Sequence, residues 1–164
     1  MFLSNDTVGR SRIAKAAAGD VVAVLRTLLA DTYGLVVQAQ GAHWNVKGAD
    51  FSQYHELFGE IYEDVYGSID PMAESILKMG SDAPGSLSQM ATLRTVQDRA
   101  AGSEPVALAR ALAVVNDEVL ARLSMAFDVA NAANEQGVAN FLAERIDMHQ
   151  KWRWQLKASV GVPV

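Results

Sequence analysis

The stretch GAHWNVKGADFSQYHELFGEIYEDVYGSIDPMAE, Gly41–Glu74, holds two of the chain's three histidines, His43 and His55. Asp50 followed by Gln53 three residues later has the pattern of a capping box and predicts a helix over 51–79, ended by Gly80. Pro71 lies well inside that helix and is expected to kink it, because proline removes a backbone donor. Upstream, NVKG breaks a preceding helix predicted over 20–45, in which Val21, Leu25, Leu28, Leu29 and Leu35, with Val24 and Val36, recur near helical spacing. Gly34 and Gly41 interrupt it at places suited to close packing.

Downstream, residues 81–102 read as a long connection with a short helix started by Ser86 or Ser88. Ser103 and Pro105 open a helix over 104–133 whose apolar series includes Val106, Leu108, Leu112, Val115, Val119, Leu123 and Phe127. After NEQG a last helix is predicted over 137–158, with Phe141, Ile146, Trp152 and Leu156. Four long helices with one long connection in the middle describe an all-α four-helix bundle in which the second and third helices are joined by a crossover, the ferritin-like arrangement. Residues 1–18 read as a flexible N-terminal arm and 19–160 as one bundle.

Composition narrows the function. The 164 residues suit a single domain with a real core, and half of them are apolar. A net charge of −5 argues against a surface that seeks nucleic acid throughout. With no cysteine there is neither a disulfide nor a thiolate site, so any metal is held by nitrogen and oxygen. No apolar run reaches the ~20 residues of a membrane span, and no secretory signal opens the chain, which is read as cytoplasmic.

On a continuous helix at ~100° per residue, Asp70, Glu74 and Glu63 fall about 60°, 100° and 80° around from His55, on one side. Asp70 and Glu74 form an i,i+4 carboxylate pair, and a metal cation offsets the repulsion of such a pair. The chain contains no Glu-x-x-His, the motif that two helices of a di-iron bundle contribute, so a site inside one bundle is poorly supported. Two copies about a twofold axis combine the ligands more readily.

HWNVKGADFSQYHELF followed by Asp-x-x-x-Glu at Asp70 and Glu74 resembles the Dps family, the DNA-binding proteins from starved cells or mini-ferritins. LLADTYGL before His43, APGS in the connection and HQKWRWQL near the C-terminus extend the resemblance over nearly the whole chain. It implies a hollow homododecamer in which His43 and His55 of one subunit meet Asp70 and Glu74 of another at a twofold interface. There Fe(II) is oxidised, preferably by hydrogen peroxide or else by oxygen, and Fe(III) is stored inside, which protects against oxidative stress. Trp44 then lies beside the site, either packing at the interface or quenching oxidising radicals.

One position departs from the family pattern. Where an acid usually stands four residues after the second histidine, this chain has Gly59. The second iron is therefore expected to bind weakly, with Glu63 as the first substitute ligand and Glu60, about 140° from His55, as the next. An impaired site in a metal-binding shell is one alternative to the ferroxidase reading, a DNA-compacting shell another, and a monomeric helical binding module a third. Asp128, Glu135 and Glu144 are candidates for acidic pores that admit cations. His149 is expected to be structural, and of Trp152 and Trp154, two apart, one is expected in the core. Arg10, Arg12 and Lys15 are few for DNA, so its binding is expected to be weak or absent at physiological salt.

Overall fold

The computed structural model describes residues 5–99 and 101–163, with side chains from residue 19 onward. It is all-helical among these residues: α1 (Asn5–Asn45), α2 (Phe51–Gly67), α3 (Ile69–Lys78), α4 (Leu87–Leu93), α5 (Pro105–Ala132) and α6 (Gln136–Ser159). α1, the α2–α3 pair, α5 and α6 are the four arms of the bundle, and α4 rides on the connection between the second and third arms. α1 packs against α2, α3, α4 and α5, and α5 packs along α6. Leu25, Leu28 and Leu35 of α1 meet Phe58 and Ile61 of α2, Leu123 of α5 and Leu142 of α6 in one buried core. Val24, Val106, Phe127, Phe141 and Ile146 pack at its margin. α1 is already helical at Asn5, the first described residue, rather than beginning near Asp20, because AKAAA supplies good helix formers and no proline interrupts the lead. The cationic side chains of Arg10, Arg12 and Lys15 lie outside the described residues.

The second arm is interrupted once, at Ser68 between α2 and α3. Pro71 cannot donate, and its ring collides with the carbonyl four residues back, that of Gly67. The break falls there, at Ser68, one turn before the proline. Ser68 closes α2 with its backbone N–H and its hydroxyl both on Val65 O, at 3.1 and 2.7 Å. Pro71 thus sits in the first turn of α3, where no intrahelical donor is required. Ser68 is itself in the right-handed helical region, at φ −85° and ψ −13°; of the candidate ligands, Glu60 and Glu63 share α2 with His55, while Asp70 and Glu74 lie on α3.

Helix starts follow the expected positions with different chemistry. Asp50 precedes α2, but its side chain makes no capping bond; it occupies the left-handed region at φ 59° after Gly48 at φ 107°. Its backbone carbonyl accepts from Gln53 and Tyr54 instead. Ser86 does cap α4, accepting from Gln89 N–H at 3.2 Å. α5 is capped by Glu104, whose carboxylate accepts from Val106 and Ala107 N–H, with Pro105 at the first helical position. Ser103 serves elsewhere: its carbonyl accepts from Lys47 N–H at 2.9 Å and fixes the NVKG turn to the head of α5.

One face of α1 straps down the connection. Arg26 donates to Asp82 O at 2.6 and 3.1 Å. Asp31, wholly buried, accepts from the amides of Thr95 and Val96 and from the Thr95 hydroxyl. Gln38 accepts from Arg99 N–H and donates to Gln97 O. Gly34 lies between them, where a Cβ would come within 2.9 Å of Arg94 Cδ and 3.0 Å of Val96 Cγ2, so its lack of a side chain permits the approach. Gly41 has nothing within 4 Å of an added Cβ and plays no such part.

Candidate metal centre

The end of α1 presents a problem that His55 solves. A helix leaves its last carbonyls without intrahelical donors. Val46 N–H serves Ala42 O, but Lys47 N–H is taken by Ser103, so the carbonyl of His43 is left over. His55 Nδ1 lies 2.8 Å from it. Reciprocally, His43 Nδ1 lies 2.7 Å from His55 O. A carbonyl only accepts, so both rings carry their proton on Nδ1. In the neutral ring with Nδ1 protonated, Nε2 is the nitrogen that keeps a lone pair, the form in which imidazole ligates a metal.

The two rings stack, centroids 3.7 Å apart at 19°. Phe51, one turn before His55, stacks on its ring at 5.0 Å, and Tyr62 packs against the His43 ring at 5.3 Å with the two planes 64° apart. Tyr54 anchors the neighbouring turn of α2 by donating to Ser159 O at the end of α6. The histidines are half-buried, so the pair is pre-shaped yet reachable. Imidazole nitrogen is a fitting donor for Fe(II).

The carboxylates are elsewhere. Asp70, in the first turn of α3, and Glu74 are exposed, and Glu74 Oε2 is 3.6 Å from Lys78 Nζ in a solvent-facing pair that a metal would displace at little cost. Among the described residues no three His, Asp or Glu side chains converge on a point. Glu63 is exposed and accepts from the Tyr62 hydroxyl at 3.4 Å, on the flank of His43, while Glu60 is exposed with no partner recorded. Trp44 is 68% exposed at the end of α1. Asp128 is exposed on α5, Glu135 sits at the head of α6, and Glu144, on α6, accepts from Asn140.

The roles of Phe51 and Tyr62 were readable in principle, because they lie four residues before and seven after His55 on α2. A second polar cluster had no sequence signal. Asp64 on α2 accepts from both terminal nitrogens of Arg145 and from Trp152 Nε1. Burial alone would raise the Asp64 pKa, but the hydrogen bonds of Arg145 and Trp152 outweigh it and hold the pKa below the usual value. Trp152 is the core tryptophan and Trp154 the exposed one. His149, 1% exposed, donates from Nδ1 to Asn116 Oδ1 at 2.8 Å and receives Asn116 Nδ2–H on its own carbonyl. Burial first, and the Arg145 charge second, bring its pKa down to about 3, so it is a neutral structural histidine.

His149 makes the fold acid-sensitive. An unfolded chain binds a proton here near pH 6.5, the buried ring only near 3, so protons favour the unfolded state across that window. Stability is expected to fall as pH drops below 6.5, by about 1.4 kcal/mol per unit from this one group. Asp64 adds to the loss only below its unperturbed value of 3.8. Urea midpoints between pH 7 and 5 check this; a flat profile contradicts it.

The chain can be placed at this point by its relatives. The ferritin-like domain matches residues 22–162. The DNA protection during starvation protein of Porphyromonas gingivalis is 30% identical over 141 residues, 84% of this chain and 87% of that one. The chain belongs to the ferritin-like family and, within it, to the Dps mini-ferritins. The structure of a Dps protein from Bacillus brevis superposes with a TM-score of 0.84 at 26% identity, covering 88% of this chain and 97% of that one. The Dps protein of Vibrio cholerae O1, described as a member of a broad superfamily of ferritin-like diiron-carboxylate proteins, gives 0.85 at 23% identity over 89% and 92% of the two chains. The bundle and its crossover are thus those expected of the family. No helix among the described residues is long and apolar enough to cross a membrane.

Proposed function

We propose that this mini-ferritin is a ferroxidase and iron store that takes Fe(II) as substrate, oxidises it preferably with hydrogen peroxide, and retains Fe(III) in a dodecameric shell. The observation that carries the reading is the reciprocal His43–His55 clasp, which engages both Nδ1 atoms with backbone carbonyls, stacks the rings and leaves both Nε2 atoms for a metal. Asp70 and Glu74 of a neighbouring subunit complete the site across a twofold interface. This division suits a chain whose own histidines and carboxylates lie on separate elements. Trp44, exposed next to His43, packs in that interface. His43 with the neighbour's Asp70 and Glu74 holds the tighter iron; His55 serves the weaker one, with Glu63 or water in place of a side chain at Gly59 and Glu60 as a remoter substitute. Acidic Asp128, Glu135 and Glu144 favour entry of cations. The net charge of −5 keeps DNA binding weak at physiological salt, and the protein works in the cytoplasm.

The test is Fe(II) oxidation followed by absorbance, with peroxide or oxygen, at a few irons per subunit. Fast, saturable oxidation that keeps iron soluble, with peroxide outpacing oxygen, is expected. A rate no greater than in buffer would favour instead a shell whose site is impaired at Gly59.

A further inference from the structure

We infer that Gly59 is a positioning residue for His43 rather than merely the place of a missing ligand. The His43 ring is held by three contacts: its Nδ1–H is bound to His55 O at 2.7 Å, its face lies on His55, and Tyr62 packs against it with the planes 64° apart. Gly59, buried in the interior of α2, is a fourth neighbour. A Cβ there would lie 3.2 Å from both Cε1 and Nδ1 of His43, tighter than ordinary contact. The ring would have to give by a few tenths of an ångström. A shift away from Gly59 works against the bond to His55 O and the stack on His55, which lengthen or open as the ring gives way.

Cε1 is bonded to Nε2, the atom that ligates. Metal–ligand distances are held to about ±0.2 Å, so a displacement of this size matters to binding although no ligand has been removed. His55 O accepts the His43 proton from the same turn of α2 to which Gly59 belongs. The glycine therefore lets the imidazole of this chain lie directly on the helix backbone, where a Cβ would press on it.

The inference rests on reading His43 as a metal ligand only for its functional consequence; the seating itself is structural and is tested separately. Zinc, which undergoes no redox change, is titrated calorimetrically into the assembled wild type, Gly59→Ala, Gly59→Ser and Gly59→Asp. The expected result is zinc affinity about tenfold weaker in the alanine and serine variants, the size of loss typical when a ligand's support is disturbed. Alanine is the better helix former, so its unfolding temperature is not expected to fall. Crystal structures of the metal-free alanine or serine variant are expected to show His43 displaced by a few tenths of an ångström, with Nδ1 farther from His55 O than 2.7 Å or the ring centroids farther apart than 3.7 Å.

Wild-type affinity in both small variants, together with a second tight zinc in Gly59→Asp, would overturn the proposal and make Gly59 a lost ligand. An unmoved His43 in the variant crystals would overturn it equally. If the wild type took up no zinc, the ferroxidase reading would be the one to fail, and the position of His43 in the crystals would still decide the role of Gly59.

Discussion

Replacing Asp31 by alanine is expected to destabilise the fold by about 3 kcal/mol, the largest loss from any single polar side chain of the bundle. Asp31 is wholly buried at mid-length of α1 and is the sole side-chain partner recorded for the Thr95 and Val96 amides. Thr95 Oγ1 also donates to it, at 2.7 Å, while itself accepting from Arg122 Nε. Removing the carboxylate leaves Val96, 2% exposed, with an amide that water does not reach. A stranded buried donor costs roughly 1–3 kcal/mol, and bonds to a charged acceptor are worth more than neutral ones. Thr95 and Arg122 are near enough to solvent to regain water, which keeps the total below the sum of three full penalties. Asp31→Asn, which retains an acceptor oxygen, is expected to recover about half. Urea midpoints must be compared at one protein concentration, since assembly itself shifts apparent stability. A loss below about 1 kcal/mol would mean that the connection is held by Gln38 and core packing instead. Easier proteolysis within residues 94–99 should accompany the loss, because the strap acts on that segment.

That strap shows where sequence reading stops. Asp31, Gly34 and Gln38 share one face of α1, but their partners lie some sixty positions on, in a segment without periodicity. Local pattern gave the long helices, the crossover and the start of α4, because apolar spacing and a serine cap act within a few residues. It placed the end of the second arm correctly and missed its division, since a proline acts on the carbonyl four residues behind it and the break appears at Ser68, not at Pro71. The His43 and His55 pair was legible through spacing and resemblance. Their mutual hydrogen bonds were not, because these depend on Lys47 N–H being drawn away to Ser103 and leaving a helix-end carbonyl open. Gly59 was noticed for the carboxylate it lacks. Its contact with His43 depends on the way α1 and α2 cross, which no pattern within α2 reports.

The clasp also sets the expected outcome of substituting the histidines. Loss of either ring to alanine should lower the initial rate of Fe(II) oxidation about a hundredfold, more than the change of a supporting residue produces. Each alanine does two things: it deletes one Nε2 ligand and it removes the face on which the other ring stacks, although the backbone carbonyl that accepts the other ring's Nδ1–H stays in place. The two changes therefore overlap, and the double alanine variant should be little slower than either single one, a coupling that a double-mutant cycle reads directly. Asparagine separates the effects. Its amide reaches about where Nδ1–H stood, so His55→Asn can still donate to His43 O and keep the end of α1 closed, while it has no counterpart of Nε2. In His55→Asn the iron bound by His43 should persist and only the second be lost, seen as one fewer ion per subunit in a titration with Fe(II) under anaerobic conditions. In His43→Asn the tighter ion should go. Strictly additive alanine effects, or identical metal stoichiometry in the two asparagine variants, would mean that the rings act independently and that the stack is packing alone.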